Sequence, residues 1–306
     1  CAQNPTAGGG GGGGGFSADI YVSVTGSDET GDGSLANPYR TIQKGIDSAT
    51  TNEVVGVLAG TYTEEVTWAT QETGVKLLGV SKTSVMIQAP PTKRCVKIMT
   101  GMPTPQTITI ESISIIDAVY TSGGAAEDAG AGILLDSPGI ILHLKDLIVD
   151  NNDLLGGGDG GGGLYIRHSS DEAIIENCVF SNNSSIVNGG AIWSKGKMRM
   201  TGCDLKYNSS NSSGGAIYLS PGSTSEISHT TIQYNSASGP AGGGIYNIGN
   251  PLTIESSFIC FNSILAPQFL HIKKLDGVFR YAVLEVDVAF AFAFFLVEDV
   301  HHVLDQ

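Results

Sequence analysis

Apolar and polar positions alternate in short runs along the middle of this chain, and each clear run closes on an Asn. The runs are Cys178-Val-Phe-Ser-Asn-Asn183, Cys203-Asp-Leu-Lys-Tyr-Asn208, Thr230-Thr-Ile-Gln-Tyr-Asn235 and Ser257-Phe-Ile-Cys-Phe-Asn262. The alternating pairs are Cys178 and Phe180, Leu205 and Tyr207, Ile232 and Tyr234, and Ile259 and Phe261. Alternation puts such pairs on one face of a strand, so all eight are expected to point inward. A second motif accompanies each run: Gly161-Gly-Gly-Leu-Tyr165, Gly189-Gly-Ala-Ile-Trp193, Gly214-Gly-Ala-Ile-Tyr218 and Gly242-Gly-Gly-Ile-Tyr246. The glycine pairs allow either positive φ or a close approach of neighbouring coils.

The Gly-Gly starts are 28, 25 and 28 residues apart, and the terminal Asn are 25, 27 and 27 apart. A fixed period of this size marks a solenoid, whose repeats bury their apolar faces only against their neighbours. A coil of this length holds two or three short strands and no helix, which is the unit of a parallel β-helix with coils about 4.8 Å apart. Asn183, Asn208, Asn235 and Asn262 would then stack at one turn as an amide ladder. Weaker rungs at Asp146-Leu-Ile-Val-Asp-Asn151 and Ile113-Ser-Ile-Ile-Asp117 carry the pattern toward the N-terminus.

The Gly-Gly-Ala-Ile-Tyr and Phe-x-x-Asn-Ser units resemble the repeats of polymorphic outer membrane proteins. The segment Tyr21-Val-Ser-Val-Thr-Gly-Ser-Asp28, with Gly31-Asp-Gly-Ser34, Asn37-Pro-Tyr-Arg-Thr-Ile-Gln-Lys44 and Gly60-Thr-Tyr-Thr-Glu64, resembles the entry segment of pectin lyase-like β-helix proteins. The resemblance covers roughly residues 20 to 264. It implies an all-β, single-stranded, right-handed parallel β-helix with a short N-terminal capping helix. It implies no activity, since that superfamily holds lyases, hydrolases, epimerases and adhesins. For the helix, Asn37 is the expected N-cap, Pro38 the first helical residue, and Tyr39, Ile42, Ile46 and Ala49 the apolar stripe.

The expected organisation is a tether over 1–16, the β-helix over 17–264 and an atypical tail over 265–306. Cys1 followed by the eight glycines Gly8 to Gly15 looks like a mature bacterial lipoprotein, with Cys1 lipidated and a coil of roughly 15 Å behind it. Ala2 resembles lipoproteins sent on to the outer membrane. The tail loses the repeat grammar and carries Val286-Asp-Val-Ala-Phe-Ala-Phe-Ala-Phe-Phe295, a bare alternating face. It is either a cap for the last coil or foreign sequence. The longest uncharged apolar run, Val288 to Val297, is too short for a membrane helix of about 20 residues.

Charge narrows the partners. With 30 acidic and 16 basic residues the net charge is −14, which excludes nucleic acid as a partner and disfavours a polyanion unless cations bridge. Cys178 and Cys203 sit at equivalent repeat positions. Their side chains would point the same way, so buried thiols are expected rather than a disulfide. Asn183, Asn208 and Asn211 begin glycosylation sequons, but the first two read as ladder residues.

For chemistry, the candidate acids are Asp117, Asp128, Asp150, Asp153 and Asp159, and the candidate bases Lys145, Arg167, Lys195 and Arg199. Solvated turn and edge charges are the competing reading. His168-Ser-Ser-Asp171 holds the residue types of a triad; on a strand, His168 and Ser170 would share a face and Asp171 would not. Gly156 to Gly163 lacks the Lys-Ser/Thr of a phosphate loop and reads as a flexible insertion. No cofactor is required; calcium is the candidate ion, with Asp28, Asp32, Asp150, Asp153 and Asp159 as weak ligands. Tyr165, Trp193, Tyr218 and Tyr246 stack in register; facing outward they make a strip for sugar rings, facing inward they are core, and partial burial is expected because the adjacent Ile alternates with them.

The sequence therefore points to a monomeric scaffold at the bacterial surface or outer membrane, touching the membrane only through an N-terminal lipid. It would bind glycan or a cell-surface partner in the manner of an adhesin, without catalysis. Two rivals stay open. One is a polysaccharide lyase or glycoside hydrolase, favoured by carboxylates and an Arg or Lys gathered on one outer face. The other is a structural spacer, favoured by the lack of any such strip or cluster.

Overall fold

The computed structural model describes residues 16–69, 73–99, 101, 104–121, 129–239 and 241–264. Cys1, the glycine run, Asp128 and the tail 265–306 lie outside the described residues. One coil shows why these sequences wind as they do. Its strands are Glu172–Glu176, Val179–Ser181, Ser184–Ser185 and Ile192–Ser194. Each strand pairs in parallel with its equivalent one coil later, as Ile192 with Ile217 and Phe180 with Leu205. Repeated along the chain, the described strands make faces of nine, eight, six and seven strands. The fold is a parallel β-helix. No described helix is long and apolar enough to cross a membrane.

Inward positions stack into a single core. Ile175, Phe180, Ile192, Met200, Leu205, Ile217, Ile227 and Ile232 are all essentially inaccessible. The Gly-Gly pair serves both expected purposes. The first glycine takes positive φ, 61° at Gly189 and 70° at Gly214. A Cβ on the second, Gly190, would collide with the backbone of Ser209 and Gly215 in the next coil. Residues 160–163 belong to this coil grammar rather than to a loose insertion: Gly160 pairs with Asn188, and Gly162 and Gly163 are buried.

The buried Asn side chains form a continuous ladder. Asn183 donates its amide to Asn208 Oδ1 at 3.0 Å, Asn208 to Asn235 at 2.9 Å and Asn235 to Asn262 at 2.9 Å. Each amide also donates to a carbonyl one coil behind, Val149, Phe180 or Leu205. The ladder starts a rung earlier, at Asn152, which donates to Asn183 at 2.9 Å. Asn152, not Asn151, is therefore the ladder residue of its coil; Asn151 occupies the corner before it, with φ 56°.

That corner also corrects the inward assignment of three aromatics. Leu205 and Ile232 are buried, and Ile259 packs against the core. Tyr207, Tyr234 and Phe261 instead turn the corner at φ 58°, 56° and 54° and point outward. The chain must bend to bring the next Asn inward, and the bend breaks the period of two.

At the N-terminal end the helix spans Ile42–Ser48 and buries Ile42, Gly45 and Ile46 against the first coil. Its N-cap is Thr41, whose hydroxyl accepts from Lys44 N at 3.1 Å. Asn37 and Pro38 lie in the extended approach, with Tyr39 bridged to Val22. Asp28 explains the later start: its carboxylate takes the Arg40 and Thr41 N–H groups, while Glu64 takes those of Ile42 and Gln43. The first-turn donors are thus satisfied from elsewhere in the coil.

Candidate functional site

The seven-stranded face presents the most chemistry. Its strands Leu164–Ile166, Ile192–Ser194, Ile217–Leu219 and Ile245–Asn247 lie side by side. Ile192 and Ile217 point to the core, so the residues between them and their neighbours point out. One outward column runs Leu134, Tyr165, Trp193, Tyr218, Tyr246. Neighbouring rings are 4.6, 6.1 and 5.3 Å apart between centroids.

Accessibility along this column is graded. Tyr165 and Trp193 are 1% and 5% exposed, in a second small cluster with Ala129 and Leu134. Tyr218 and Tyr246 are half-buried. Arg94 secures part of the cover by donating to the Ala129 and Gly130 carbonyls at 3.0 Å.

Two residues further on, the same alternation supplies a second outward column. Arg167, Lys195 and Ser220 follow their strands at equivalent positions, each N–H bonded to the strand of the coil before. The two columns meet at a cavity of about 330 Å³ lined by Asp159, Tyr165, Arg167, His168, Trp193, Lys195 and Ser220. Beneath it, the buried Asp136 accepts from Arg167 at 2.7 Å and from His168 Nε2 at 3.0 Å. Tyr165 donates its hydroxyl to Asp159 at 2.6 Å. Burial first, then that bond and the Asp159 charge, push the phenol up, so it stays a neutral donor.

His168 to Asp171 is a turn rather than a strand. Asp171 is 1% exposed and accepts from Gly139 N at 2.8 Å and His168 N at 3.2 Å. Burial pushes its carboxyl up to about 6, against the opposing effect of those N–H bonds. The segment therefore ties two coils together and makes no triad.

The structure gathers some of the sequence candidates and separates others. Asp159, Arg167 and Lys195 share the cavity with Tyr165 and Trp193. Tyr218 and Tyr246 extend the aromatic column beyond the residues lining it. Lys145 pairs with Glu111, and Arg199 with Glu172. The calcium candidates are occupied separately: Asp28 by backbone N–H groups, Asp32 by Ser34 N, Asp150 by Ser181 and Asn182, and Asp153 by Ser184. Among the described residues no three His, Cys, Asp or Glu side chains converge on one metal position. Asp117 is held by Asn151 and Gln88. Cys178 and Cys203 are buried free thiols.

Asp136, His168 and Ser220 were not singled out for this site by sequence reasoning. For Ser220 the signal was present in the repeat: Tyr-x-Arg, Trp-x-Lys and Tyr-x-Ser follow the successive Gly-Gly motifs at 165–167, 193–195 and 218–220.

The family model described as "Right handed beta helix region" matches residues 107–263. No curated protein matches the chain. Among solved structures it is similar to pectin methylesterase PemA from Erwinia chrysanthemi, at 13% identity and a TM-score of 0.43, covering 71% of this chain and 66% of that one. It is also similar to pectin methylesterase from carrot, at 14% identity and a TM-score of 0.47, covering 81% and 84%. For the Aspergillus niger pectin methylesterase the values are 12% and 0.45, covering 85% and 93%. The chain thus spans just under two thirds of the Erwinia protein's length.

Proposed function

We propose, for a chain that belongs to the right-handed β-helix family, a carbohydrate-binding scaffold that holds one sugar unit in the cavity on its seven-stranded face. The observation that carries this is the meeting of two columns: the polar set Asp159, Arg167, His168, Lys195 and Ser220 around the cavity, and the aromatic column beside it, whose Tyr165 and Trp193 are almost covered while Tyr218 and Tyr246 stay half-open to a sugar face. A sugar presents apolar C–H faces and hydroxyl edges, and it needs both kinds of surface at once. At about 330 Å³ the cavity is at the small end of ligand sites, which run from roughly 300 to 1,000 Å³.

Binding without cleavage is the reading we favour on the roles already taken. Arg167 is always protonated and serves Asp136, so it is no general base. Asp136 is buried and accepts from two partners, which leaves it little freedom to act on a substrate. One observation favours the enzymatic reading: Asp136, Asp159, Arg167 and Lys195 do converge on one outer face.

Tryptophan fluorescence tests the proposal. Trp68 is 1% exposed inside the main core, so a Trp68→Phe background leaves Trp193 as the reporter. Addition of a neutral or acidic monosaccharide panel should shift or quench its emission, and Lys195→Ala should weaken the response at least tenfold. No response to any sugar would overturn the proposal. Release of new reducing ends or unsaturated products from oligosaccharides would replace binding with catalysis.

A further inference from the structure

A second set of aromatic rings occupies the corner between the eight- and six-stranded faces, away from the cavity. Tyr207, Tyr234 and Phe261 hold the same position in three successive rungs, each just before a ladder Asn. Successive rings are parallel to within 10° and 6°, with centroids 5.4 and 5.1 Å apart. Parallel rings in direct contact are separated by about 3.5–4.0 Å. At the observed spacing they must be slid past one another like shingles, which leaves part of each face and one edge open. The three residues are 55%, 44% and 48% exposed.

The fold does not require aromatics here. All three have left-handed backbone, a conformation that costs a bulky residue on the order of 1–3 kcal/mol. In the preceding rungs the same corner holds Asp117, Asn151 and Asn182, at φ 58°, 56° and 53°, residue types that adopt it readily. Ring stacking returns about 0.5–1.5 kcal/mol per pair, and the burial of the rings is forgone. Strain and exposure kept together over three rungs mark a surface that meets a ligand.

The flanks define that ligand. Outward positions on one side are Lys206, Gln233 and Cys260, and on the other Ser209, Ser236 and Ser263. Lys206 donates to Asp204 at 2.9 Å, so the local charge cancels. An apolar stripe between a serine column and a mixed column whose one cation is neutralised by Asp204, repeating about every 4.8 Å, complements a chain with C–H faces and hydroxyl edges. The net charge of −14 opposes both a second copy of the protein and a polyanion. We propose that the corner formed by Tyr207, Tyr234 and Phe261 binds a linear, uncharged polysaccharide laid along the solenoid axis, independently of the cavity.

Calorimetric titration of the full chain with cellohexaose, xylohexaose and mannohexaose tests this, with hexagalacturonate as the acidic comparison. At least one neutral probe should bind. The triple variant Tyr207→Asn, Tyr234→Asn, Phe261→Asn restores the residue type of the earlier rungs. It should bind that probe at least tenfold more weakly, with an unchanged or raised melting midpoint. Trp193→Phe should retain the binding, which separates this site from the cavity. Failure of all three neutral probes, equal binding by the triple variant, or loss in Trp193→Phe instead would overturn the proposal. So would a parent dimer in sedimentation that the triple variant abolishes, since the rings would then serve self-association.

Discussion

Replacing Asn208 by Ala should be among the most damaging single substitutions in the solenoid, although it removes only a small side chain. Asn208 is inaccessible to solvent and makes four hydrogen bonds through its side chain. Its Oδ1 accepts from Asn183 N and Asn183 Nδ2, each at 3.0 Å, and its Nδ2 donates to Asn235 Oδ1 at 2.9 Å and to the Phe180 carbonyl at 3.0 Å. The partners lose unequally. Asn183 Nδ2 keeps the Val149 carbonyl, and Asn235 Oδ1 keeps the Asn208 N–H. The Asn183 backbone N–H loses its acceptor deep inside the wall. One such orphaned donor costs about 1–3 kcal/mol, and the three other lost bonds bring the total to roughly 3 kcal/mol. Asn262→Ala removes three such bonds from the last described rung: Asn235 N and Nδ2 lose an acceptor and the Ile232 carbonyl loses a donor. Asn262 is only half-buried, so water can replace it and the loss should stay near 1 kcal/mol. Urea midpoints of the two variants give the comparison. Amide exchange at Asn183 adds a local readout that does not depend on two-state unfolding, which repeat arrays can violate. Equal midpoints for the two variants, or full protection of the Asn183 amide in Asn208→Ala, would refute the reasoning.

Asp171 gives a pH dependence with a definite sign. Its folded carboxyl is raised to about 6 from 3.8, so its contribution is fully present below about pH 4 and is lost as pH rises through about 6. Ionisation in the fold costs on the order of 1–2 kcal/mol after allowance for solvent screening. The stability difference between parent and Asp171→Asn should therefore change over that window; a constant difference would count against it. Gly163→Ala should cost about 1–3 kcal/mol, read as a lowered urea midpoint, because its Cβ would lie 2.8 Å from the Ala191 carbonyl and 3.1 Å from the Phe180 ring. Iodoacetamide applied to the folded protein should label Cys260 and spare Cys95, Cys178 and Cys203, as read by mass spectrometry. Cys95 is inaccessible and burial pushes its thiol up to about 12.

The wall of the solenoid was legible because it follows from local repetition. A period of two in the strands, a glycine wherever coils meet backbone to backbone, and an Asn at one corner each leave a mark in every repeat. The helix start was less legible because its donors are satisfied across the coil. Asn37-Pro38 has the local form of a cap, yet Asp28 and Glu64 supply the acceptors that let the helix begin after Thr41. The same limit hid Asp136 from the cavity. Its partners Arg167 and His168 come one coil later, and nothing in the repeat tells that residue 136 lies under them until the coils are stacked.

Tyr207, Tyr234 and Phe261 fail for a different reason, which bears on how such surfaces are read. Alternation is a statement about extended backbone, and it holds for Leu205, Ile232 and Ile259. One left-handed residue reverses the sense of the next side chain. The position that looks like the third inward residue of a strand is then a corner facing water. The sequence does carry the clue, in the three rungs that precede them: Asp117, Asn151 and Asn182 are residue types that favour left-handed backbone. A corner column that changes from Asn to aromatic while its φ stays near 55° has changed its surface and kept its fold. In a solenoid, where every coil repeats the same backbone, such a substitution along one column is the place to look for a ligand. The cavity and the corner both arise this way, from outward columns whose side chains the wall itself does not need.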